Sequence, residues 1–257
     1  MVGIYLSGTG NTRHCIEKFL SDSDAAAKCI PIEDEAAVEV LRENEEVVLA
    51  YPTQFSNVPY MVKDFVRKHE KLWSGKRVFL ITTMGAFSGD GTGCCARILK
   101  KYGAVISGGM QIRMPDAVCD SKMLKKSLAE NRRIVREADA KIEKAVSDIR
   151  NSGKYPREGL SFPAHLAGLF GQRLWFYGKT TGYSGKLKIS DACIGCGLCA
   201  SNCPMGNLRI EDGRAVNLGR CAMCYRCIST CPQQAITLLG KKVVEQCRCE
   251  KYEGTSD

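Results

Sequence analysis

Between residues 193 and 232 one cysteine pattern is written twice. Cys193-x-x-Cys196-x-x-Cys199-x-x-x-Cys203-Pro204 is followed by Cys221-x-x-Cys224-x-x-Cys227-x-x-x-Cys231-Pro232. Every cysteine of the first run has a counterpart 28 positions on, the prolines keep the same offset, and Leu208/Ile210 recurs as Ile236/Leu238. A cubane iron–sulfur cluster needs four thiolates converging on four corners. A C-x2-C-x2-C run wraps tightly enough to supply three from one short loop. The fourth cysteine, where proline turns the chain away, points back toward the other cluster. This assigns Cys193, Cys196, Cys199 and Cys231 to one 4Fe–4S cluster, and Cys221, Cys224, Cys227 and Cys203 to a second. Paired zinc sites are the plain alternative, but zinc needs neither the third cysteine nor the Cys-Pro that follows it.

The chain of 257 residues has room for one large or two modest domains, and its apolar fraction of 44% allows an ordinary core. Fifteen cysteines would read as a disulfide scaffold in a short secreted protein. Here Met1 to Leu6 lacks a basic leader and runs straight into a glycine loop, so a reducing cytoplasmic, low-oxygen setting is expected. No apolar run reaches the length of a membrane span. The nearest candidate, Phe162 to Tyr177, is interrupted by His165, Gln172 and Arg173. The net charge of +9 omits the cofactors. Two oxidised cubanes with eight thiolates carry about −4, and a flavin phosphate about −2. The basic excess sits in residues 151–190, six basic against one acidic, and not on a nucleic-acid face.

The first 150 residues alternate strand and helix. A buried strand over 1–6 leads into Ser7-Gly8-Thr9-Gly10-Asn11-Thr12 and a helix to Leu20. Glycines let backbone N–H groups close on an anion, hydroxyls of Ser7, Thr9 and Thr12 add donors, and the helix N-terminus adds partial positive charge. The loop has no G-K-[ST] lysine, so it suits a phosphate monoester better than a nucleoside triphosphate. Further strands are expected over Lys28–Ile32, Glu46–Tyr51, Arg77–Thr83 and Ala104–Ile112. Helices are expected over Tyr60–Lys71, after the 84–93 loop as far as Tyr102, and over Ser121–Arg150. The last carries Leu124, Leu128, Val135, Ala138, Ile142, Val146 and Ile149 on one stripe and is stopped by Asn151-Ser152-Gly153. Five strands with intervening helices give an α/β doubly wound parallel sheet that binds ligands at the carboxyl ends of its strands. Gly91-Thr92-Gly93-Cys94-Cys95-Ala96 matches G-x-G-x-x-A, with Asp116 further on. It does not follow its strand directly, so a dinucleotide site there is set aside.

With these residues quoted, two resemblances are plain. Residues 187–240 resemble the bacterial two-cluster ferredoxins, a small α+β unit. Residues 1–150 resemble flavodoxins, whose phosphate loop reads [ST]-x-T-G-[NT]-T. The second resemblance implies FMN, with its phosphate in Ser7–Thr12 and its ring flanked by two loops. Those loops are Pro52-Thr53-Gln54-Phe55-Ser56-Asn57 and Met84-Gly85-Ala86-Phe87-Ser88-Gly89. Many flavodoxins stack a Trp or Tyr where this chain has Gln54, with Phe55 next. Ordinary core packing is the alternative for Phe55 and Phe87. The whole resembles flavodoxin–ferredoxin fusion proteins of anaerobic bacteria and archaea. Its expected layout is an FMN domain over 1–150, a basic aromatic connector over 151–186, a two-cluster domain over 187–240 and a polar tail over 241–257.

The connector reads as a tether packing its aromatic face on one domain. Two rival readings are a wedge of Trp175–Tyr177 between the domains and a partner-docking or membrane-surface patch. Cys15, Cys29, Cys94, Cys95, Cys119, Cys247 and Cys249 fall outside the cluster set and read as inert thiols, with Cys94-Cys95 a candidate redox pair near the flavin edge and Cys247-x-Cys249 incidental. His14, His69 and His165 show no carboxylate or cysteine partner, and His14 is expected to be solvent-exposed. An electron-transfer role follows, with no catalytic side chain and with a redox partner such as a low-potential ferredoxin or a reductase. Nucleic acid is not expected as a partner, and a homodimer is left open. The rival is an FMN-dependent reductase that would need a proton donor, for which Asp90 and Tyr60 are the candidates. A redox sensor would need an output element that the sequence does not display.

Overall fold

The computed structural model describes residues 1–24, 26–176 and 182–254. The connector residue Tyr177 lies outside them. Five parallel strands form one sheet in the order β2-β1-β3-β4-β5: β1 Val2–Tyr5, β2 Cys29–Pro31, β3 Glu46–Pro52, β4 Arg77–Met84 and β5 Val105–Arg113. That order is the flavodoxin-like form of the doubly wound sheet, with its switch point between β1 and β3.

Strand alternation decides which helix goes where. Ile4, Val47, Leu49, Tyr51, Val78 and Leu80 face one side, where they pack on α2 Ala37–Glu43, α3 Tyr60–Lys68 and α4 Gly91–Lys101. Val48, Ala50, Phe79, Ile81, Met110 and Ile112 face the other, under α1 Asn11–Ser23 and α5 Leu128–Ser152. The crossover helix α2 has no counterpart among the expected elements. Seven residues long, it spans under two turns, too short for a periodic signal.

Helix α5 starts at Leu128 rather than Ser121. Ser127 Oγ accepts from Glu130 N–H at 3.1 Å, the start that Ser-x-x-Glu encodes, and Gly153 at φ 65° ends it. Lys122–Leu124 is a separate 3-10 turn, so Leu124 leaves the expected stripe. After α5 the chain lies along the free edge of β5. Gly109 N–H donates to Pro156 O at 2.8 Å and Glu158 N–H to Gly109 O at 2.8 Å. Gly108 is obligatory there, since a Cβ would stand 2.6 Å from Pro156 O.

The connector, expected as a tether, is built of short helical segments. It forms α6 Phe162–Gly168, a π-helical turn over Leu169–Arg173 and α7 Leu174–Phe176. Its anchor is Asp90, fully buried, whose carboxylate meets Arg173 Nη2 and Arg97 Nη2 at 2.7 Å and His165 Nδ1 at 2.9 Å. Phe176 stacks on Phe55 with ring centroids 4.4 Å apart, while Trp175 is 72% exposed and wedges nothing.

The C-terminal lobe pairs β6 Lys188–Ile189 with β9 Ile236–Thr237 and β7 Leu208–Glu211 with β8 Arg214–Asn217, both antiparallel. Two short helices, α8 Leu198–Ser201 and α9 Arg226–Thr230, each follow a C-x2-C. Leu187, Leu208, Tyr225, Ile228, Ile236 and Leu238 form its core. The segment expected as a polar tail is structural. Val243 and Cys247 complete this core, whereas Cys249 and Tyr252 cross back to pack with Cys15, Ile16 and Phe19 on the first lobe. Cys247-x-Cys249 is therefore not incidental to the fold: Cys247 is buried in the core of the C-terminal lobe and Cys249 against the first lobe.

Candidate functional site

Within the C-terminal lobe the two cysteine runs close on two separate cavities. Cys193, Cys196, Cys199 and Cys231 line one, together with Ile194, Ile210 and Ile236. Cys203, Cys221, Cys224 and Cys227 line the other, together with Leu208, Ile228 and Leu238. Three cysteines of each set come from one loop and the fourth from the other run. All fifteen thiols are free of disulfides.

Burial, with neighbouring thiolates, raises the Cys199 and Cys227 thiols, and burial pushes Cys224 up to about 11. Crowded thiols of this kind ionise together only when a cation balances them. Backbone N–H groups already aim at the sulfurs: Asn207 N to Cys203 at 3.2 Å, and at 3.4 Å Ala215 N to Cys193, Met223 N to Cys221 and Ala235 N to Cys231. Such bonds stabilise a thiolate and tune the potential of a cluster. The donor set, its dry lining and its amide bonds fit a sulfur-ligated metal cluster.

A third cavity, of about 260 Å³, lies between the lobes at the carboxyl ends of the strands. From the expected residues it takes Ser7, Gly8, Thr9, Asn11, Thr12, Pro52, Thr53, Gln54, Phe55, Met84 and Gly85. Asn57, Ala86 and Phe87 are not among its lining residues. Asn57 closes a bridge with Gln54, and Phe87 is directed to Gly171 in the connector. Gly10, at φ 92°, caps α1 and lines a neighbouring cleft with Arg13, Arg226 and Arg248. Thr12 Oγ1 lies 2.8 Å from Thr83 Oγ1, and Asn11 Nδ2 donates to Pro115 O at 2.7 Å, so the first loop is braced against the ends of β4 and β5.

Loop 52–57 is strained. Phe55 and Ser56 sit at φ 50° and 56°, where side chains cost energy and persist only if neighbours hold them. They are held by the Gln54–Asn57 backbone pair, by Ser56 Oγ–H donating to Gln172 Oε1 at 2.7 Å, and by the Phe55–Phe176 stack.

Met114 to Val118, Leu124 and Leu239 also line this cavity, as do Met223, Cys224 and Tyr225. Strand order alone points to the loop after β5. Nothing in the sequence points to the last three. Cys224 and Tyr225 border both this cavity and the second thiol cavity. Gln54 Nε2 donates to Ala222 O at 2.9 Å, and Arg226 Nη2 donates to Ser7 O at 2.7 Å. Gly8 has no room for a side chain, since a Cβ would stand 1.7 Å from Cys224 O. Asp120 clamps the same junction: its carboxylate accepts from the N–H groups of Leu238, Leu239 and Gly240 at 2.7 to 3.0 Å, and from Tyr225 O–H at 3.1 Å.

Neither expected proton donor reaches the cavity. Asp90 is held by Arg97, Arg173 and His165 away from the lining, and Tyr60 is 55% exposed on α3. Asp116 does line it. Burial raises its carboxyl above the usual range, against Val118 N–H and Lys125, which pull it down. The Cys94–Cys95 pair also lies elsewhere. Cys95 is buried and pushed up to about 12, and Cys94 accepts from Arg173 Nη1 at 2.6 Å. Gly91 and Gly93 of the dinucleotide-like run are packing glycines, with Thr53 and Gly159 against them. Among the described residues no helix is long and apolar enough to cross a membrane.

Residues 192–235 match the family model described as a 4Fe-4S dicluster domain. That match, 44 residues long, makes the C-terminal lobe a 4Fe–4S domain and supports an electron-transfer or redox role. A comparison with curated proteins returns no match. Among solved structures, the solution structure of two-electron reduced Megasphaera elsdenii flavodoxin is 24% identical, with 55% of this chain and 99% of that chain covered at a TM-score of 0.41. Fusobacterium nucleatum flavodoxin bound to flavin mononucleotide is 16% identical, with 58% and 96% covered at 0.40. The Trp repressor binding protein of Bacillus subtilis is 15% identical, with 60% and 99% covered at 0.45. The fold reading rests on the strand order and not on these partial overlaps.

Proposed function

We propose that this chain passes low-potential electrons between two 4Fe–4S clusters and FMN, and on to a redox partner protein. FMN would occupy the cavity between the lobes, and each thiol cavity would hold one cluster. The observation that carries the reading is the shared wall: Cys224 belongs to one cysteine set and borders the inter-lobe cavity as well. A flavin accepts one or two electrons and a cubane passes one, so their junction is where pair and single transfers are matched.

This chain's own residues supply the setting. Ser7–Thr12 offers backbone N–H groups and hydroxyls to a phosphate at the start of α1. Pro52–Phe55 and Met84–Gly85 line the same cavity from the first lobe, and Met223–Tyr225 line it from the C-terminal lobe. Asp120, Gln54 and Arg226 hold the lobes in one register, which favours transfer within a single chain over transfer between two.

Cys224→Ala tests the reading. It is expected to lower iron from about eight to about four atoms per chain and to slow flavin reduction by dithionite-reduced clusters in stopped flow. Unchanged iron content would overturn the ligand assignment. Unchanged flavin kinetics with halved iron would overturn the route.

Asp116 favours a second reading, an FMN-dependent reductase of a small substrate. A carboxyl that lines the cavity and is raised above its usual range by burial is what a proton donor needs. The two separate cleanly under anaerobic conditions. Bleaching of the flavin only by a reduced low-potential ferredoxin supports the carrier, whereas fast bleaching by NADH or NADPH supports an enzyme with its own hydride site.

A further inference from the structure

The C-terminal strap lies across the start of α1. Cys249 N–H donates to Thr9 O at 2.8 Å, and Cys249 and Tyr252 are buried against the first lobe. This course brings Cys249 and Glu253 to His14, a residue expected to face solvent alone. Their ligand atoms, Nδ1 or Nε2, Sγ and a carboxylate oxygen, all lie within 4.8 Å of one another. The histidine is gripped from both sides, with Nδ1 2.8 Å from Glu253 Oε1 and Nε2 2.7 Å from Asp139 Oδ1 on α5.

We propose that His14, Cys249 and Glu253 form a binding site for one zinc-class divalent cation. Three arguments carry it. The donor set of one thiolate, one imidazole and one carboxylate suits borderline-soft zinc, while magnesium and calcium take oxygen alone. Metal-binding histidines almost always give their second ring N–H to a carboxylate, which fixes the tautomer, and Asp139 stands ready at Nε2 to accept it. The ligands also come from separate places, α1 and the strap, with the positioning carboxylate on α5. A cation here fastens the strap to the first lobe beside Thr9.

Glu253 lies on the exposed side, which leaves the fourth position to water. As the metal–sulfur bond forms the thiol of Cys249 gives up its proton to buffer, the proton shared between His14 Nδ1 and Glu253 leaves as those atoms turn to the metal, and no redox change accompanies binding. None of this depends on the flavin reading.

The test uses full-length protein with its clusters loaded, so that the eight cluster thiols are not open to zinc. The protein is dialysed against a mild chelator and titrated with zinc chloride, with zinc and iron counted per chain and the zinc K-edge spectrum recorded. One saturable zinc per chain is expected with iron unchanged, ligated by a single sulfur at about 2.3 Å and by N/O atoms at about 2.0–2.1 Å. Cys249→Ser should remove the sulfur shell. Glu253→Gln, on the exposed side and least apt to disturb folding, should weaken zinc binding by at least tenfold. Asp139→Asn should weaken it by about 10–100-fold while leaving the melting temperature of the zinc-free protein unchanged, which separates positioning from a structural role. Zinc bound by four sulfurs, no saturable binding, or affinity unchanged in both Glu253→Gln and Asp139→Asn would each overturn the proposal.

Discussion

Removing the carboxylate of Asp120 should unfasten the two lobes. It accepts four hydrogen bonds, two of which, from Tyr225 O–H and Leu238 N–H, are buried, while those from Leu239 and Gly240 N–H reach partly exposed backbone. In Asp120→Ala the exposed pair can rebond to water. The buried pair loses its acceptor at about 1–2 kcal/mol per group, the lower part of the range for an unsatisfied buried polar group. Adding the weaker loss at the exposed pair gives about 3–5 kcal/mol in all. At about 2–4 °C per kcal/mol for a chain of this size, the melting temperature should fall by about 6–20 °C. Asp120→Asn keeps one carbonyl oxygen for the N–H cluster and should cost about 1–2 kcal/mol. Differential scanning calorimetry on cluster-loaded protein, with flavin reduction followed in parallel, reads both. If alanine and asparagine cost the same, or alanine costs under about 1 kcal/mol, the carboxylate is not the clamp and the junction is held by shape.

Three further outcomes are expected. Gly8→Ala forces its Cβ onto the carbonyl of Cys224; overpacking of about 1–3 kcal/mol should part loop from lobe, seen as a lower flavin-to-iron ratio at unchanged iron, and an unchanged ratio would contradict the close approach. Asp90→Asn leaves Arg173 without its buried partner and should destabilise by about 3–5 kcal/mol in thermal unfolding, with cluster iron retained; loss of iron would mean the connector supports the wrong lobe. Burial raises the folded pKa of Asp116, so its contribution to stability is present at low pH and lost as pH rises through the folded value. The advantage of Asp116→Asn over the parent in flavin-free melting temperature should therefore grow as pH is raised from the ordinary carboxyl value of 3.8, and a constant difference across that rise would refute burial as the dominant cause.

What the sequence determined by itself is local. Cysteine spacing within one loop is set by covalent chain geometry, so the two sets of four, including the exchange of Cys203 and Cys231, are readable from numbering. Strand and helix order is likewise local: the continuous apolar run Val47–Tyr51 and the Ser7–Thr12 turn announce a parallel sheet with a ligand loop at the carboxyl end of a strand. Even the start of α5 was written in Ser127-x-x-Glu130, though the stripe through Leu124 pointed earlier, since an apolar residue reads alike whether it packs under a helix or lines a cavity. Apart from that exchange of Cys203 and Cys231, tertiary structure decided what joins distant segments. That Cys224 borders the cavity of Gln54 and Met84, that Asp120 receives the backbone of 238–240, and that His14 meets Asp139 and Glu253 are facts of docking. Their partners lie 118 to 239 residues apart. Polar residues on a loop or tail look solvated in sequence, and only the closing of one lobe upon another removes their water and gives them partners.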